Sequence, residues 1–260
     1  MKKISIAFLI VVLLIFQVIA VSALTSSEAK QEWQNAKQAS GEKQETHRDA
    51  KIKFAGDKSE ENKQAVVDTG KEALMAALDE VEAWLVWKNI EAQENPDVPE
   101  ELKEAVSSDV DANIAKISEL RVDVNGIDNQ LELGLVFLKM VGKYAELLAD
   151  VARDSGKILS SLGEKYLGKA EEYEGKLRAE AENMENNAEI LAKLDTAKSS
   201  IAEARSNVEK AKASYEQVRL PGTPLIKFAE GNNYLRVAKT NLISAHSSLN
   251  QAYLLMMGRE

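Results

Sequence analysis

An all-α, elongated fold is predicted by three features of this 260-residue chain: clustered helix breakers, apolar residues recurring every seven positions, and a middle stretch far longer than its neighbours. All four prolines fall in two short clusters, Asn95-Pro96-Asp97-Val98-Pro99 and Leu220-Pro221-Gly222-Thr223-Pro224, and there are only thirteen glycines. Sandwiches and barrels need more turn residues than that. The 45% hydrophobic content is enough to build a packed core, so the chain does not read as disordered.

Residues 1–23 read as an export signal. Lys2 and Lys3 precede an uncharged stretch from Ile4 to Leu24, and Val21-Ser22-Ala23 places small residues where a signal peptidase cuts. The alternative is an uncleaved anchor, because the 21 residues 4–24 span about 31 Å as a helix, enough to cross a bilayer core. Both readings put the rest of the chain outside the cytoplasm, secreted or at the cell surface. Cleavage removes two lysines and takes the formal net charge from −9 to −11. That surplus argues against nucleic acid or an anionic lipid surface as partner, and leaves residues 4–24, if retained, as the membrane contact. No Asn-x-Ser/Thr acceptor for N-glycosylation occurs.

Residues 24–65 hold many charges and amides, with Trp33, Ala36, Ala50 and Phe54 as sparse apolar members at three-and-four spacing. This predicts a polar helical arm, solvated and frayed near Gly41 and Gly56. Beyond it the breaks divide the chain into helices of roughly 66–94, 99–124, 128–184, 187–219 and 224–257. Asn125-Gly126 is a break in which Gly126 takes a left-handed conformation and Asp128 caps the next helix; Asn186-Asn187 is a weaker one. The third helix, with about 57 residues, is about 85 Å long. Two shorter helices can lie along each half of it. The expected organisation is therefore two tandem three-helix, spectrin-like bundles, residues 66–153 and 154–258, sharing one long helix.

The apolar spacing agrees. In the last helix Phe228, Leu235, Leu242, Leu249 and Met256 recur every seven residues, with Gly231, Ala238, Ala245 and Ala252 three places after the first four. The preceding helix repeats the design with Leu194, Ile201, Val208 and Tyr215 against Ala197, Ala204, Ala211 and Val218. Small residues along a seam let two helices approach closely, which predicts an antiparallel hairpin. In the first bundle Val67, Leu74, Leu78, Val81 and Leu85 face Val106, Val110, Ile117, Leu120 and Val124. Leu131–Val141 is apolar on nearly every side and is expected to be central.

Little in the chain points to catalysis. With no cysteine there is no disulfide, thiolate metal site or cysteine nucleophile. The two histidines, His47 in the arm and His246 beside a seam alanine, read as surface and half-exposed structural residues. Asp109-x-Asp111-x-Asn113 opens like a calcium loop but has Ile114 at position six and Leu120 at position twelve, and in Asp123-x-Asn125-Gly126 the glycine comes two places early. The carboxylates of Glu171, Glu172, Glu174, Glu180, Glu182 and Glu185 alternate with Lys169, Lys176 and Arg178 and read as a solvated face. No phosphate loop, nucleophile elbow or zinc signature is present, so no catalytic residue, metal or cofactor is expected. Glycines at 134, 142, 156, 163, 168 and 175 inside the long helix read as points of close helix approach, or as bends in a helix that rearranges. The apolar run at 131–141 is about half the length needed to span a bilayer. Trp84, Phe137 and Tyr144 form the candidate ligand pocket between helices of the first bundle.

The segments Ala77–Leu85, Asn95–Leu102, Asp111–Ile117, Tyr234–Lys239 and Ala245-His246 carry a family likeness over residues 65–257. In them the chain resembles exported, all-helical archaeal cell-envelope proteins of unknown function with spectrin-like bundles. Many members of that group also have a C-terminal sorting or membrane segment, whereas this sequence closes on Leu254-Leu255-Met256-Met257-Gly258-Arg259-Glu260. The resemblance implies no site residues. Together these readings predict a non-enzymatic exported scaffold, spacer or interaction module of the cell envelope. It would meet a protein partner through helix faces or the arm, and its seams can close within one chain or between copies as a homo-oligomer. The alternatives are an extracytoplasmic ligand-binding sensor or carrier, and a membrane-active helical toxin or lipid-binding protein.

Overall fold

A computed structural model describes residues 24–258, and the expected signal segment lies outside the described residues. Six helices account for them: α1 (Ser26–Gly56), α2 (Glu60–Glu94), α3 (Glu100–Asn125), α4 (Gln130–Ala181), α5 (Ala188–Glu216) and α6 (Pro224–Met257). No strand occurs among the described residues. The 52 residues of α4 make it about 78 Å long.

Local chemistry accounts for each boundary. Thr25 caps α1 in a reciprocal box: its Oγ1 accepts from the Glu28 N–H at 3.3 Å, and Glu28 Oε2 accepts from the Thr25 N–H at 2.9 Å. Ser59 Oγ accepts from the Asn62 N–H at the start of α2. Pro99 immediately precedes α3 and Pro224 is the first residue of α6, where a missing N–H costs nothing. Two expectations at the third break are corrected. Gly126 has φ −78°, an ordinary right-handed value, and Asn129 rather than Asp128 caps α4, its Oδ1 accepting from the Glu132 N–H at 3.0 Å. Asn186 takes the left-handed conformation at φ 56°, and the Asn187 amide donates to the Ala181 carbonyl, closing the end of α4.

The helices form two assemblies along α4, with α1 joining the first through α2. One core joins α1, α2, α3 and the first half of α4, with Leu85, Ile117, Val124, Ile127 and Leu147 all but inaccessible. The other draws on the second half of α4 and on α5 and α6, whose seam residues Leu194, Ala197, Ile201, Ala204, Val208 and Ala211 meet Ala238, Ala245, Leu249 and Ala252. The two overlap: Ile158 packs against the first core, while Ala152, six residues earlier, packs with Tyr215, Val218 and Phe228.

The solvated arm is a second correction. α1 runs unbroken through Gly41 and lies antiparallel along α2. Ala29, Ser40 and Ala50 are buried, His47 Nδ1 lies 3.2 Å from Thr69 Oγ1, Lys43 pairs with Glu72 at 2.8 Å, and the Ser26 N–H donates to Glu94. Trp33 stacks on Trp87 with ring centroids 4.9 Å apart. The arm's apolar residues are few, but small Ala and Ser at the remaining facing positions let the helix settle close to α2, so modest side chains still bury surface. The third correction is the apolar run of α4. Leu131, Leu135, Phe137, Leu138 and Val141 are 52–73% exposed, and Leu133 alone of that run is buried, against Gly70.

Candidate functional site

The pocket residues read from the sequence stand along one groove and are not gathered in one cavity. α1 and α4 flank α2 without their backbones meeting, and the channel between them is floored by Gly70, Ala73, Leu74, Ala77 and Val81 of α2. Three recesses succeed one another along it. The first, about 660 Å³, is lined by His47, Lys51, Phe54, Val66, Leu133 and Phe137; the second, about 270 Å³, by Phe137, Met140, Tyr144 and Leu147; the third, about 200 Å³, by Trp33, Lys37, Trp84 and Tyr144. Phe137 joins the first two and Tyr144 the last two, while Trp84 reaches only the third.

The groove is apolar with cationic margins. Burial lowers the pKa of His47, and the neighbouring Lys51 charge lowers it further, which favours a neutral imidazole. Tyr144 is 46% exposed; partial burial and then the Glu80 carboxylate raise its pKa, so its phenol stays protonated. At the Trp33–Trp87 stack, Lys88 Nζ lies 3.9 Å from the Trp87 ring centroid and Lys37 Nζ 5.2 Å from that of Trp33. Those two lie within one helix each; the stack itself and Lys30 Nζ, 5.5 Å from the Trp87 centroid, are what join α1 to α2. A second groove of about 740 Å³ lies between α4 and α6, lined by Leu159, Tyr166, Tyr173, Leu235, Ile243 and the exposed His246.

One cluster escaped the sequence reading. Asp154 is buried at the α3–α4 contact beside Asp109, and burial and the neighbouring Asp109 charge raise its pKa to about 7, against the pull of Lys157 and Arg153. Arg153 reaches Asp109 at 3.2 Å and Asp150 at 3.0 Å, and Lys116 bridges buried Asn113 and Asp150. The calcium-like spelling Asp109-x-Asp111-x-Asn113 thus turns two of its residues, Asp109 and Asn113, toward the α3–α4 ion pairs. The signal in the sequence was Asp154 itself, an acid four residues from Asp150 on the side of α4 whose Leu147, Val151 and Ile158 pack into the first core. Among the described residues no trio of His, Asp or Glu stands close enough to hold a metal. Nor is any of their helices long and apolar enough to cross a membrane.

Chemically, the arrangement offers apolar surface and fixed helix geometry. The Asp154 cluster is tied up in ion pairs within α4 and between α3 and α4. Neither protein-family models, nor curated proteins, nor solved structures yield a match to this chain.

Proposed function

We propose that this is a non-enzymatic, exported helical spacer and interaction module of the cell envelope. The observation that supports it most is α4. One helix of about 78 Å carries both cores, so it fixes the separation of two sets of helix faces. On its first half it presents Leu131, Leu135, Leu138 and Val141 to solvent. Contiguous exposed apolar surface of that kind marks a place where a partner docks. The positively charged start and apolar stretch of residues 1–24 supply the export half of the reading.

The experiment is fractionation of cells producing the tagged chain, followed by cross-linking in the intact envelope. Recovery outside the cytoplasmic membrane, cross-linked through the first half of α4, is the expected result. Residence in the cytoplasm would overturn the reading. The groove between α1 and α4 favours a second one, a carrier of an apolar ligand seated between Phe54 and Phe137. It predicts saturable binding of a fluorescent long-chain fatty acid, read as a rise in the probe's emission and lost in Gly70→Phe. Unchanged fluorescence would discard it.

A further inference from the structure

We infer that the exposed face of α4 between Leu131 and Ala145 is a self-association surface, on which a second copy of this chain lies antiparallel. The inference rests on the interaction-module reading and names the partner. Leu131, Gly134, Leu135, Leu138, Val141, Gly142 and Ala145 stand at three-and-four spacing, and all seven are exposed. A helix face so composed is a seam without its partner.

Continuity gives the first argument. The same face of α4 continues through Ala149, Gly156 and Leu167, where α5 and α6 cover it: Gly156 receives Tyr215, and Leu167 lies in the core with Ile201 and Ala238. The seam is thus already a helix-docking surface over its second half, and stays open over its first. Gly134 and Gly142 fit the same account. A Cβ at either meets nothing within 4 Å in this chain, so neither glycine serves packing inside it. A mid-helix glycine costs about 1 kcal/mol relative to alanine, and close approach by a partner helix offsets that cost.

Self-complementarity gives the second. With a twofold axis at Leu138, Leu131 of one copy faces Ala145 of the other, Leu135 faces Val141, and Gly134 faces Gly142. Large meets small at both ends, and the glycines, about one turn either side of the axis, leave room for the backbones to approach. The third argument is area. Leu131, Leu135, Leu138 and Val141 are 52–73% exposed. They offer on the order of 450 Å² of apolar surface per copy, a little over half of the roughly 800 Å² each partner buries in a standard interface, the size of a weak, reversible dimer contact.

The chain contains no cysteine, so disulfide trapping reads the register directly. In a glutathione buffer, full-length Leu138→Cys should cross-link at least tenfold more than Val122→Cys, an equally exposed control on α3. The double variant Leu131→Cys with Ala145→Cys should cross-link where either single variant does not. Sedimentation equilibrium should show a dimer for the unmodified chain and at least a tenfold weaker one for Leu138→Glu, with unchanged helix content because Leu138 is solvent-exposed. A monomer at all concentrations, equal masses for the unmodified chain and Leu138→Glu, or trapping no better than at Val122 would overturn the inference. Leu138→Glu that is monomeric yet found in the envelope leaves the module reading standing; a dimer confined to the cytoplasm sinks that reading and spares the interface.

Discussion

Tyr215 sits in a notch cut by two glycines. A Cβ at Gly156 would lie 2.3 Å from its ring, and one at Gly231 2.5 Å, while its hydroxyl donates to Asn232 Oδ1 at 2.7 Å. Complete burial raises the pKa of this phenol to about 12, so the hydrogen bond holds across the physiological range. Gly156→Ala is expected to destabilise by roughly 1–3 kcal/mol, because the ring is held on both sides and cannot yield. Gly168→Ala, where a Cβ meets open space, should stabilise by about 0.5–1 kcal/mol. Urea denaturation of the two variants checks both signs at once. Asp154 makes a pH prediction of the same kind. Its folded pKa is raised from 3.8 to about 7, so folding favours the protonated acid. That contribution is complete below about pH 4 and lost as the pH rises through 7. Asp154→Asn should therefore be near neutral at pH 4.5 and stabilise by roughly 1–3 kcal/mol at pH 8. Equal effects at the two pH values would refute the assignment.

Among the elements, α1 separates what composition says from what packing does. Its mean polarity reads as a solvated helix, yet it runs the length of α2 and contributes Ala50 and Phe54 to the first core. The facing positions Ala29, Trp33, Ala36, Ser40, His47, Ala50 and Phe54 keep to one helical face, and most are small or polar. Deletion of residues 24–56 is expected to expose Val66, Val67 and Gly70 and to lower the urea midpoint of the remaining chain, since those contacts vanish from the folded state alone. An unchanged midpoint would restore α1 to the status of an arm. The other helix boundaries arise from local signals that compete little with tertiary context. The two proline clusters, Asn129 and Asn186 end or begin helices within a few residues of where the sequence places them. Gly126 departs from expectation in conformation, and Lys71 shows how that end is satisfied, its Nζ donating to the Asn125 and Ile127 carbonyls.

For the molecule as a whole, length along α4 is the governing quantity. A compact chain of this size has a radius of gyration of about 18 Å, whereas two cores strung on a helix of about 78 Å must exceed it. Small-angle scattering of Leu138→Glu, chosen so that self-association does not enter, should give a value well above 18 Å. A value at 18 Å would mean that the two assemblies fold back on each other. The fixed separation matters for any partner that engages both ends, because a rigid spacing loses little entropy on the second contact.

Local chemistry in the amino-acid order is enough to say that the chain is all-helical, roughly where its helices begin and end, and which faces of α5 and α6 meet. Proline, asparagine and the seven-residue stripes act over short range, and Leu194, Ile201 and Val208 against a line of alanines leave one sensible pairing. Packing in three dimensions was needed to show that α1 belongs to the first core, that Gly156 is tight while Gly142 is open, that Trp84 stands apart from Phe137, and that Leu131–Val141 lies largely uncovered. Periodicity marks a face as one that another helix can cover, without specifying which. Ser40, His47 and Gly70, which close the α1–α2 contact, carry no hydrophobic signal to announce it, and neither does Gly70 as the seat of Leu133.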